Sequence, residues 1–194
     1  EELRKLPGYK ASSSDTFSSA KALLEAAGIS PGFKLSILVR GDVPVWVNSA
    51  LFFQDQWSKL GLDVKVEQAE FGTSISRMLK GDFDVRIGGI AFNTPDPDQF
   101  LFAPFSSEGP NHMYYPSDPE TDRLLAAQRF ELNTELRREL VQKAEVRLIS
   151  EVIPSIVGHY TIFLNGVRKE VQGWVPQDFM LYNQSRMDTI WLQN

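Results

Sequence analysis

Asp84–Phe100, DVRIGGIAFNTPDPDQF, decides how this chain is read. Val85, Ile87 and Ile90 form an apolar, glycine-containing run bounded by turn formers, which predicts a buried strand. The run ends in a loop of Asn93, Thr94, Pro95, Asp96, Pro97 and Asp98. Two prolines stiffen that loop, so its amide, hydroxyl and carboxylates are held rather than free in solvent. In open α/β sheets ligands bind at the C-terminal ends of strands. The loop therefore reads as one wall of a ligand cleft.

Upstream, the pattern repeats. Asp15 reads as an N-cap, with Phe17, Ala20, Leu23, Leu24 and Ala27 on one helical face and Gly28 as the stop. Phe33, Leu35, Ile37 and Val39 alternate as a half-buried strand, which runs into the turn-rich Arg40-Gly41-Asp42-Val43-Pro44. Val47, Ala50, Leu51, Gln54, Trp57 and Leu60 then keep helical spacing, closed by Gly61. Leu62, Val64 and Val66 alternate again, and a short helix around Ile75, Met78 and Leu79 ends at Gly81. Strand–helix–strand–helix–strand predicts a largely parallel sheet covered on its faces. Right-handed crossovers would set the Arg40 and Asn93 loops at one sheet edge.

Downstream the character changes. Ser117-Asp118-Pro119-Glu120 is a helix start, continued by Leu124, Leu125 and Gln128. Asn133 or Thr134 opens a longer helix with Leu136, Leu140, Ala144 and Leu148 along one side, which Pro154 terminates. Ile156, Tyr160, Ile162 and Leu164 predict a further strand. Short extended pieces rich in aromatic residues follow Gly173 and finish at Ile190-Trp191-Leu192.

Composition narrows the function. The 194 residues are 42% apolar and 23% charged, ordinary for one folded domain or two small ones. The net charge of −5 comes from 25 acids and 20 bases without a long basic block, which disfavours nucleic acid and anionic membranes as partners. There is no cysteine, so disulfides, thiolate nucleophiles and zinc-thiolate sites are excluded. No apolar run approaches the roughly 20 residues needed to span a bilayer. The polar Glu1–Ser14 reads as a linker or frayed terminus. Without an initiator Met or a signal peptide, the chain is expected to be a fragment whose targeting segment lies elsewhere.

Few catalytic patterns survive inspection. The two histidines, His112 and His159, lie far apart, and no Gly-x-Ser-x-Gly elbow accompanies them. Asp96-x-Asp98 and Asp118-x-Glu120-x-Asp122 resemble the opening of a calcium loop, but prolines interrupt both and Arg123 stands where glycine is needed. Helix capping explains the second cluster, while for the first capping competes evenly with a ligand role. Gly88-Gly89 lacks phosphate-loop spacing. Trp46 follows the Arg40 loop and Phe92 precedes Asn93. Aromatics beside turns more often pack cores, yet an arginine with nearby aromatics and amides suits an organic anion.

The residues in view resemble the C-terminal portion of the extracellular solute-binding proteins, family 5, the peptide-, oligopeptide- and dipeptide-binding receptors of ABC importers. The likeness runs through Ala20-Lys21-Ala22-Leu23-Leu24-Glu25-Ala26-Ala27-Gly28, then Gln54, Trp57 and Leu60-Gly61-Leu62, and Gly81-x-Phe83-Asp84. Asp96-Pro97-Asp98, Asn111, Tyr115, Pro119-Glu120-x-Asp122-x-Leu124-Leu125, Arg138, Ala144 and Glu151-x-x-Pro154 continue it. The resemblance implies a type II periplasmic-binding-protein lobe, with a mostly parallel sheet flanked by helices and a C-terminal extended tail. Residues 15–182 would be the ligand-binding lobe and 183–194 a tail returning to a missing N-terminal lobe. It further implies a periplasmic or extracellular receptor that closes around a solute and presents it to a membrane permease, with no catalysis, cofactor or metal.

Carried over by position, Arg40 matches the arginine that holds a ligand carboxylate in the family's dipeptide binders. Asn93 falls where those proteins use an aspartate for the ligand's free amine, and an amide cannot pair with an ammonium. Ile90 replaces a tryptophan common at the end of the third strand. The expected ligand is thus a small organic solute, anionic and not a simple dipeptide, such as a sugar-like compound, an opine-like conjugate or a modified peptide. Arg40, Phe92, Asn93 and Thr94 are the expected lining, with Trp46 and Asp96 beside them. Two rivals remain: a hydrolase using Asp96 or Asp98 with His112, and a protein-interaction module docking through exposed helices.

Overall fold

The structure is a computed structural model that describes residues 15–89, 96–110, 112, 118–156, 158, 166–175 and 187–193. It divides into two compact units, residues 1–89 and 90–194. The expected linker 1–14 lies outside the described residues, as do Ile90, Phe92, Asn93, Thr94, Tyr115 and His159.

The first unit is a three-stranded parallel sheet in the order β2-β1-β3. β1 (Lys34–Arg40) pairs with β2 (Asp63–Ala69) along its whole length, and with β3 (Val85–Ile87) through Ile37↔Val85, Leu38↔Arg86 and Val39↔Ile87. β1 is central, and this corrects the half-buried expectation. Ile37, Leu38 and Val39 are all fully buried, because a central parallel strand has both faces covered. The three consecutive apolar residues carry that signal better than the alternation does. β3 is shorter and less enclosed than a buried strand, being half-buried at each of its three positions.

Helix α2 (Pro44–Ser58) packs Ala50 onto Ile37, Val39 and Val64, with Trp46, Val47, Phe53 and Trp57 around them. Pro44 opens the helix at the position where a missing N–H costs nothing. Gln54 donates from Nε2 to the Val64 carbonyl at 2.7 Å, which ties the helix to β2. Helix α3 (Phe71–Lys80) stops at Gly81, whose φ of 67° is left-handed, a conformation glycine adopts without strain. Asp84 then accepts hydrogen bonds from Ser36 N (2.7 Å) and Ser36 Oγ (2.9 Å), fastening the entry of β3 to β1.

Helix α1 (Asp15–Ala26) ends in a Schellman cap, with Ile29 N donating to the Leu24 carbonyl at 2.9 Å and Gly28 at φ 74°. Its apolar face is not the covered stripe that the periodicity predicts. Only Ala20 and Leu24 are half-buried, and Leu23 is 72% exposed.

The second unit is built on helices. Asp98–Phe102 forms a π turn that runs into α4 (Ala103–Phe105). α5 (Pro119–Phe130) and α6 (Thr134–Arg147) pack Leu124, Leu125, Ala144 and Leu148 against Leu101 and Phe102. Both expected caps are present: Asp118 accepts from Thr121 N, and Asn133 from the amides of Glu135 and Leu136. α6 continues as a π turn over Leu148–Val152, and Ile153 (φ 46°) breaks it one residue before Pro154. Of the strand expected over 156–164, the described part is not strand; Ile156 is exposed, and Tyr160, Ile162 and Leu164 lie outside the described residues. β4 (Val171–Gln172) and β5 (Trp191–Leu192) pair antiparallel, so the described end of the expected tail is hydrogen-bonded within its own unit.

Candidate functional site

Three strand ends meet at the C-terminal edge of the parallel sheet. Arg40 closes β1, Phe71 follows β2, and Gly88-Gly89 follow β3. The Arg40 guanidinium grips Asp42 of its own loop through Nε to Oδ1 (3.0 Å) and Nη2 to Oδ2 (2.6 Å). Its carbon stands 4.7 Å from the Phe71 ring centroid and 5.4 Å from that of Trp46, both in cation–π range. The carboxylate raises the Arg40 pKa above its ordinary value, and the Arg40 hydrogen bonds lower that of Asp42. Arg40 is therefore a preset, oriented cation, with a side chain 22% exposed.

Trp46 reaches across to β3. A Cβ on Gly89 would lie 2.9 Å from Cζ2 of the indole, so glycine is needed there for space. A Cβ on Gly88 would lie 2.7 Å from Nη1 of Arg86, which folds back over it. The Gly88-Gly89 pair is thus neither a phosphate loop nor a turn requirement; Gly89 leaves room for the Trp46 indole. Arg86 is the functional candidate that sequence reading missed, because a single basic residue in an alternating strand reads as an outward-facing charge.

Arg40 and Trp46 stand at the same edge, with the guanidinium carbon 5.4 Å from the indole centroid. Phe92, Asn93 and Thr94 lie outside the described residues. Asp96, in the second unit, is held by Arg137 through Nη2 to Oδ1 (2.8 Å) and Nη1 to Oδ2 (3.2 Å), and it accepts from Asp98 N at 2.8 Å. These bonds tie Asp96 to Arg137 and to the turn that follows it. The Arg137 bonds, then the Asp98 amide, lower the Asp96 pKa.

The hydrolase rival needs a carboxylate with free basic lone pairs near His112. Asp96 spends both oxygens on Arg137, and Asp98 pairs with Arg129 at 2.8 Å. The His112 Nδ1 faces the Ser106 carbonyl at 2.9 Å. In the other acidic cluster Asp118 caps α5 and binds Arg147, Glu120 binds Arg123, and Asp122 accepts from Ser107 N and Oγ. For the interaction-module rival, Phe130 and Leu132 protrude at the α5–α6 connection. No helix of the described residues is long and apolar enough to cross a membrane.

The parallel α/β sheet carries an oriented arginine and two aromatic rings at its C-terminal edge, the edge at which open α/β sheets bind ligands, and the fold is of the type II periplasmic-binding-protein class. The sequence profile of the bacterial extracellular solute-binding proteins, family 5 (middle region), matches residues 4–112, and the chain belongs to that family. The dipeptide-binding protein of Escherichia coli is 30% identical over 164 residues, which is 80% of this chain and 30% of that protein. The E. coli murein tripeptide binding protein superposes with a TM-score of 0.69 at 28% identity, over 76% of this chain and 29% of its own. A dipeptide binding protein from Pseudoalteromonas, solved with Met-Leu, gives 0.62 at 30% identity, over 71% and 28%. The chain thus spans about 30% of the length of the relatives it matches. Those relatives are binding proteins by name.

Proposed function

We propose that this chain is one lobe of an extracytoplasmic solute receptor that closes on a small organic solute and delivers it to an ABC permease, without catalysing a reaction. Residues 15–182 supply the lobe, and 183–194 lead back toward an N-terminal lobe carried elsewhere in the receptor. The observation that carries the reading is Arg40 held between Asp42, Trp46 and Phe71 at the C-terminal edge of the sheet. A planar, fixed guanidinium recognises a carboxylate with two parallel hydrogen bonds, and the rings exclude water from one side of the pair. Family membership and the names of the relatives support the receptor role.

The solute is anionic and lacks a free amine. By sequence position Asn93 stands where an acidic group would neutralise an ammonium, with Phe92 and Thr94 beside it in the chain. Asp96 contributes by anchoring the chain after that segment through Arg137. Closure of two lobes shares the desolvation of the solute, so either lobe alone binds weakly.

Calorimetry on the full-length receptor tests this. The solute is identified by mass spectrometry of what co-purifies with the receptor, then titrated into wild type and Arg40→Ala. The expected loss of affinity is about a hundredfold, the scale of a bidentate charge-assisted pair. Unchanged affinity in Arg40→Ala overturns the reading.

A further inference from the structure

Arg86 is the exception among the half-buried arginines of the described residues. Arg77, Arg129, Arg137 and Arg147 each hold a carboxylate. Arg86 is half-buried in β3, and its Nε is buried with no hydrogen-bond partner. No ion pair is formed by Arg86 among the described residues. Burial, and then the positive charge of Arg40, hold its pKa below the ordinary arginine value. Burying the Nε of a guanidinium without an acceptor is unfavourable, and a second cation nearby adds to the cost. The fold nevertheless keeps it, and Gly88 leaves the space into which it folds.

The two arginines differ in what they still need. Arg40 is already neutralised by Asp42, so together they make an oriented but nearly charge-balanced pair. Arg86 contributes the uncompensated positive charge. The pairing Leu38↔Arg86 sets it one step back from the strand end, on the strand adjacent to the one that Arg40 closes. Trp46 lies at the same edge, its ring centroid 5.4 Å from the Arg40 guanidinium carbon and its Cζ2 2.9 Å from where a Cβ on Gly89 would stand.

We propose that Arg86 is a second anion-binding residue of this site, forming with Arg40 a two-armed clamp on one acidic group of the solute. Arg40 orients the group, and Arg86 supplies the net charge that makes an acid bind better than its neutral amide. The proposal rests on the solute occupying this edge of the sheet, as set out under Proposed function.

The test uses the full-length receptor and N-acetylated dipeptides, each as the free acid and as the C-terminal amide, with affinities read by calorimetry. In wild type the free acids bind about tenfold or more tightly than their amides, the scale of one charged hydrogen bond. Arg86→Gln brings that ratio close to one. Asp42→Asn, which releases Arg40 from its own loop, widens it. A wild-type ratio near one, or no binding by any free acid, overturns the clamp. If Arg86→Gln keeps the ratio while Arg40→Gln destroys it, the clamp falls and the solute reading stands. If neither arginine affects any acid that binds, the solute reading falls with it.

Discussion

The two units solve the same problem of charge in opposite ways. In the helical unit Arg137 pairs with Asp96, Arg129 with Asp98, and Arg147 with Asp118 and Glu151. The pairs with Asp96, Asp98 and Asp118 join residues far apart in the chain, so they act as scaffold. In the sheet unit Ile37, Leu38 and Val39 are fully buried, and the Arg40–Asp42 pair at the strand end stands near Arg86, which holds no carboxylate among the described residues. The contrast is what supports Arg86 as the proposed second arm of the clamp.

Removing a buried side chain from either unit has the largest expected effect. Leu125→Ala in α5 and Ile37→Ala in β1 each cost about 2–5 kcal/mol by losing buried methyl groups and leaving a cavity. Denaturant titration read separately by probes in each unit should show the loss confined to the unit mutated. A shift of both transitions together would break the division into two cores.

The pairing of the helical unit is sharpened by acid. Arg147 lowers the Asp118 pKa, and Arg137 lowers that of Asp96, below the ordinary value of 3.8. Because the unfolded chain takes up protons first, the stability these carboxylates contribute is complete at neutral pH and is lost as pH falls below about 4. Asp118→Ala should lower stability by about 1 kcal/mol or more through loss of the cap, and should flatten that acid limb in thermal melts. An acid limb of unchanged steepness would contradict the assignment.

Much of this was legible beforehand. The parallel sheet, its connecting helices and the caps at Gly28, Gly81, Asp118 and Asn133 follow from periodicity and local chemistry, because each depends on residues within one or two turns. What was hidden depends on distant partners. Asp96 meets Arg137 across 41 positions, so whether it caps or binds could not be read from its neighbours. Leu23 looked like a core residue because the repeat reports an apolar face but not what covers it. Arg86 gained meaning only when the register placed it on the strand next to Arg40.

The rim predicts smaller changes. Gly89→Ala should cost about 1–3 kcal/mol by pressing on Trp46, with a shift in indole fluorescence. Arg86→Met should be neutral or stabilising by about 1 kcal/mol, since it removes a buried donor that has no partner. A clear loss of stability in Arg86→Met would mean that the guanidinium serves the fold.

The most direct test is a crystal structure of the full-length receptor loaded with its own solute. The account predicts an acidic group of that solute within about 3 Å of both the Arg40 and Arg86 guanidinium groups, with Trp46 against the bound molecule. A solute lying away from the C-terminal edge of β1 and β3, with Arg86 still unpaired, would contradict it.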